Sequence, residues 1–112
     1  MMDTSERREK GSPMNTWKVA NAVVRHLEAT IPVYDVSEQG YSLYVSLVDG
    51  RSFLVDAPLE GGVRITPCVR TYEGGHRLLE DLEAELADAG FDVRRTLATE
   101  LRVRDDVGGW AW

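Results

Sequence analysis

The stretch Gly74-Gly75-His76-Arg77 is the most chemically suggestive in this chain. A glycine pair at the start of a helical pattern would leave backbone N–H groups open, and a helix N-terminus can hold an anion. Gly75, His76 and Arg77 would then form an anion site, with Arg64 and Arg70 contributing from a nearby sheet face. The simpler reading is a plain loop ahead of a helix. A Walker loop is excluded, because no lysine followed by serine or threonine completes it.

The other reactive residues are scattered. Cys68 is the sole cysteine. A nucleophilic role would require a neighbouring base, and the sequence names none, so Cys68 reads as a small residue packed in a strand. His26 and His76 are the only two histidines and stand fifty positions apart. Two isolated histidines do not make a zinc site, and His26 reads as solvated or capping. Asp35 and Asp56 share the polar side of their strands, but acid–base work by the pair would need a pocket. No cofactor and no metal are expected.

The elements that position these residues are organised around Tyr41–Ala57, YSLYVSLVDGRSFLVDA. Tyr41, Leu43, Val45 and Leu47 alternate with Ser42, Tyr44 and Ser46. Phe53, Val55 and Ala57 alternate with Ser52, Leu54 and Asp56. This is the period of half-buried strands. A two-residue Asp-Gly turn would set Leu43 against Asp56 and place polar groups in the core. A three-residue loop, Val48-Asp49-Gly50 with Gly50 left-handed, pairs Val45 with Phe53 and Leu43 with Val55. Burial favours the second register, because a one-residue slip turns every side chain to the other face.

Before the hairpin, the apolar spacing Trp17, Ala20, Val24, Leu27, Ile31 predicts a helix over 16–29, capped at Asn15 or Thr16 and stopped by Pro32. Val33–Val36 read as a strand. A four-residue connection, 37–40, would pair Val36 with Tyr41 and Tyr34 with Leu43. After the hairpin, Val63, Ile65, Pro67 and Val69 define a fourth strand. Pro67 lacks a donor, which suggests an edge or a bulge. Leu78, Leu79, Leu82 and Leu86 predict a second helix over 76–89, with Gly90 and Phe91 closing it. The segment 91–103 reads as one long strand or two strands with a corner at 95–98. If single, it outruns its neighbours and leaves Leu97, Leu101 and Val103 exposed. That reading predicts a homodimer through the C-terminal strand, with Trp110 and Trp112 reaching over the seam.

The fold class expected is α+β: a two-layer sandwich of an antiparallel sheet of about five strands, two helices on one face, in the order α-β-β-β-β-α-β. Residues 1–13 read as a disordered arm, and 14–112 as a single domain. The arm is charged and lacks the apolar core of a signal peptide. A lone cysteine and the absence of an apolar run of about 18 residues suggest a cytoplasmic protein away from membranes. The net charge of −6 opposes nucleic-acid binding. Arginine outnumbers lysine eleven to two, as a GC-rich genome or a salt-adapted cytoplasm would favour.

These features favour a small non-enzymatic protein-binding module, such as a chaperone-like adaptor, an immunity protein or a phage-type inhibitor. The expected contact residues are Tyr44, Ser46, Leu54, Arg64, Arg70, Leu101, Trp110 and Trp112. The alternative is a small-ligand or anion-binding domain, or a small enzyme, at the Gly74-Gly75 loop.

Overall fold

Proline fits the first turn of a helix, where its missing N–H would have no partner. Helix α1 accordingly begins at Pro13 and runs to Thr30, ahead of the cap expected at Asn15 or Thr16. It belongs to a computed structural model that describes residues 13–58, 61–97 and 99–104. The rest of the expected arm and the terminal Trp110 and Trp112 lie outside the described residues. Ala20, Val23, Val24 and Leu27 bury the stripe that the spacing predicted.

Strands β1 (Val33–Gln39), β2 (Ser42–Leu47), β3 (Ser52–Asp56) and β4 (Val63–Pro67) follow as a meander. Helix α2 (Tyr72–Asp88) and a hairpin of β5 (Val93–Leu97) and β6 (Glu100–Val103) complete the order. The sheet is antiparallel throughout and six-stranded, β1-β2-β3-β4-β6-β5. The strand beyond the expected five comes from 91–103, which folds back on itself instead of extending.

The central hairpin takes the register that burial favours. Leu43 faces Val55 and Val45 faces Phe53. Leu47 N donates to Arg51 O at 2.8 Å, and Gly50 sits at φ 95°, where a side chain is strained. Asp49 Oδ1 accepts from Arg51 N at 3.0 Å and closes the loop further. That N–H holds the Asp49 carboxyl below its ordinary value. The bond therefore adds to the loop above the ordinary carboxylate range, and its contribution is lost as pH falls through the depressed value.

The β1–β2 connection differs from expectation. It is a two-residue turn, Gly40-Tyr41, with Gln39 facing Ser42 and Val36 facing Val45. Gly40 at φ 64° supplies the positive first position that tight hairpin turns require. Tyr41 is thus at the turn, not in the core. The register slips between Val33 and Asp35, leaving Tyr34 as the extra residue of a bulge. Without the slip, Val33 and Val36 would point to opposite faces. With it, both pack against the core and Tyr34 turns out to solvent.

Strand β4 is interior, not an edge. Cys68 N donates to Ser52 O of β3 at 2.8 Å, and successive N–H groups alternate in direction. The nitrogen of Pro67 therefore faces the β6 side, where the β6 pairing has ended at Ile65–Leu101. The missing donor costs no ladder bond there.

Buried Leu43, Val45, Leu47, Phe53, Val55, Val63, Ile65, Leu101 and Val103 share one face of the sheet and one cluster with both helices. Helix α2 ends with Phe91 N donating to Leu86 O and Gly90 N to Ala87 O, both at 3.0 Å. This is the expected paired-bond glycine terminus.

Leu101 was expected at an exposed seam. It is fully buried in the chain's own core, because β6 lies between β4 and β5. The exposure on which the C-terminal dimer was built is therefore absent at Leu101 and Val103.

Two stability outcomes follow. Gly50→Val should cost about 1–2 kcal/mol by urea denaturation. The cost is purely backbone strain, since a Cβ there would meet nothing within 4 Å. Leu101→Glu should cost about 3 kcal/mol or more through an unpaired buried carboxylate. Near-neutral Leu101→Glu in a folded monomer would contradict the placement of β6.

Candidate functional site

The sheet face opposite the helices collects four of the expected contact residues, Tyr44, Ser46, Leu54 and Arg64. Strand alternation sends Ser42, Tyr44, Ser46, Leu54, Arg64 and Thr66 away from the core, and the register aligns them in rows. Ser37, Tyr44, Leu54 and Thr66 form one row, and Ser42, Asp56, Arg64, Arg102 and Arg94 the next. Tyr44 and Leu54, both half-buried, occupy the centre.

The charges around this centre are pinned. Arg64 grips Asp56 through two bonds, Nε to Oδ1 at 3.0 Å and Nη2 to Oδ2 at 2.7 Å. Bidentate pairs of this kind fix geometry as well as charge. Asp56 is thereby committed, and Asp35 lies in a different row beside Ser46. The fold does not bring the two aspartates together. Arg102 is buried; its Nη2 donates to Gly61 O at 2.9 Å and its Nη1 to Glu100 Oε2 at 3.4 Å. Thr96 Oγ1 donates to the same Glu100 oxygen at 3.1 Å. Tyr44 O–H donates to Ser52 Oγ at 2.9 Å, and Ser52 Oγ to Cys68 O at 3.3 Å. That chain holds the phenol along the sheet.

Arg94, Glu100 and Arg102 were not among the expected site residues. Their signal was parity. The apolar positions of 91–103 are odd, so these even positions belong on the polar face.

The glycine pair serves packing. Helix α2 starts at Tyr72 with Thr71 as its cap, so Gly74 and Gly75 lie inside the first turn. Gly74 N donates to Thr71 Oγ1 at 2.9 Å and Gly75 N to Thr71 O at 3.0 Å. The two amides proposed for an anion are spent on the cap. A Cβ at Gly74 would stand 2.8 Å from Thr71 Oγ1, and one at Gly75 would stand 3.3 Å from both Pro67 Cγ and Val69 Cγ2. Glycine here lets the helix seat closely on the end of β4.

His76 stacks on Tyr72, with ring centroids 6.3 Å apart. Its Nδ1 accepts from Arg95 Nη1 at 2.8 Å, and its Nε2 is 3.6 Å from Glu80 Oε2. Arg95 faces Leu101 across the ladder, so it points to the helix side of the sheet, where its Nη2 is 3.7 Å from Glu83. A concavity of about 150 Å³ lies beside this group, lined by Arg70, Thr71, Tyr72, Gly75 and His76 among others. Arg77 is exposed. A second hollow of about 280 Å³ runs between Pro32, Leu47, Arg51, Leu78, Asp81 and Glu85.

His26 is neither solvated nor a cap. It is half-buried, its ring 5.9 Å from that of Phe91, and its buried Nε2 has no hydrogen-bond partner among the described residues. No group of three or more metal-ligating side chains gathers among the described residues. No described helix is long and apolar enough to cross a membrane. No protein-family model, curated protein or solved structure matches the chain.

Cys68 is exposed, past the end of β4, not packed within a strand. Partial burial pushes its thiol up from the ordinary value, which lowers the thiolate fraction at neutral pH. Iodoacetamide at pH 7.5 should alkylate Cys68 more slowly than a model cysteine peptide, with the rate still rising above pH 9. Faster labelling than the peptide would show an activated thiol.

Proposed function

We propose that this chain is a small protein-binding module of the adaptor, immunity-protein or inhibitor kind, and that it binds through the uncovered face of its sheet. One observation carries the reading: Tyr44 and Leu54 sit side by side in the middle of that face, ringed by serines, threonines and pinned arginines. Protein interfaces have this anatomy, an aromatic or apolar centre within a polar rim. Arg64 and Tyr44 are already held by Asp56 and Ser52, so less side-chain freedom is lost on docking.

A ligand-binding reading rests on the hollow beside Arg70, Tyr72 and His76. It has less support, because the Gly74 and Gly75 amides bond within the cap and His76 is occupied by Arg95.

Affinity capture from the source cell tests the proposal. The wild type should retain a stoichiometric protein partner. Leu54→Asp, with unchanged melting temperature, should weaken retention at least about tenfold, roughly 1.4 kcal/mol. Equal retention by Leu54→Asp, or no partner for the wild type, would overturn it.

A further inference from the structure

We propose that the free edge of β1 accepts an extended basic segment of a protein partner by strand addition. This rests on the protein-binding reading and adds a second surface, distinct from the Tyr44–Leu54 face.

The bonding pattern defines the edge. Leu47 N donates to Arg51 O, so the odd residues of β2 bond toward β3, and the even residues Ser42, Tyr44 and Ser46 bond toward β1. Their partners are Gln39, Ser37 and Asp35. Alternation then directs the peptide groups of Val36 and Glu38 out of the sheet, and neither has a bond to another described element. The bulge sits at Tyr34, so Val36–Gln39 keep regular register.

The opposite edge offers a shorter regular stretch, Val93–Arg95 against Val36–Gln39 of β1. Arg95 of β5 turns its charge inward, to His76 at 2.8 Å and Glu83 at 3.7 Å. The β5 register also slips between Arg95 and Leu97. An inward charge and a bulge both discourage pairing at an edge.

The side chains around β1 choose the partner. Asp35 and Glu38 are exposed on its two faces. Among the described residues, three large exposed hydrophobics lie on β1 or at its ends: Tyr34 at 77%, Tyr41 of the following turn at 93%, and Val48 at 66%, whose N–H donates to Pro32 O. In strand addition the main chain supplies affinity and flanking side chains supply specificity. Acids beside tyrosines fit lysine or arginine alternating with apolar residues. A second copy of this chain would bring its own Asp35 and Glu38 to the seam, where like charges oppose pairing. The net charge of −6 also draws a basic segment.

The probe is an acetylated peptide of about eight residues alternating lysine and valine, a usual strand length or slightly more. It is titrated into the full ¹⁵N-labelled chain. The expected result is amide shifts confined to β1 and its turn. Glu38→Pro should weaken binding at least about tenfold, because it deletes one outward N–H that the sheet does not use. Glu38→Lys keeps that N–H and should transfer preference to the matching glutamate–valine peptide. It stands in as the test if Glu38→Pro fails to fold. Leu54→Asp should bind the peptide as the wild type does, so loss of the cell partner in Leu54→Asp alone tells the two surfaces apart. Four results would overturn the proposal: shifts elsewhere or none, equal binding by a folded Glu38→Pro, no preference for lysine over glutamate, or concentration-dependent β1 shifts marking a second copy on the edge.

Discussion

The bond from Leu47 N to Arg51 O at 2.8 Å sets which side of each strand meets the helices. It exists because Gly50 adopts φ 95° and lets three residues close the loop. Strand side chains alternate with period two, so this one closure decides the face of every residue in β2 and β3. Pairing then transmits the choice outward, to Val36 through Val45 and to Ile65 through Val55. It reaches Leu101 through Ile65. A slip by one residue would exchange Phe53 for Leu54 in the core and expose the helix-facing layer along its length.

The same closure separates two kinds of surface. The helix side is filled, and the arginines that reach it are met by α2, Arg51 by Asp81 and Arg95 by His76 and Glu83. The far side is polar but not loose. Asp56, Glu100 and the Gly61 carbonyl hold Arg64 and Arg102 in place. A surface of this kind presents fixed charge around an apolar centre. The meander leaves β1 at one margin of the sheet, and the C-terminal hairpin leaves β5 at the other.

Close approach governs the junction between sheet and helix α2. Thr71 caps the helix through Gly74 N and Gly75 N, and Gly75 seats against Pro67 and Val69. The features that suggested chemistry in the sequence, a glycine pair and a following histidine, are accounted for by packing and by a hydrogen-bonded tether to the edge strand. Proline at the end of β4 fits for a related reason: its nitrogen faces the side where the neighbouring strand has stopped.

Local alternation and helical spacing were enough to read both helices, the four meander strands and the Gly50 loop, because each depends on residues within a few positions of one another. The α+β two-layer class followed, since two amphipathic helices require one apolar sheet face. On the same basis Tyr44, Ser46, Leu54 and Arg64 could be placed on the open face from parity alone. What the sequence left open lacked a local marker. The reversal between β5 and β6 has no glycine or proline, so only pairing with β4 shows that Leu101 is interior. The bulge at Tyr34 arises because Val33 and Val36 both reach the core, a demand made by the neighbouring strand. The start of α2 at Tyr72 depends on Thr71 and on contact with Pro67. Tertiary structure decided these points because each one is stabilised by residues distant in sequence, whose positions exist only once the sheet has formed.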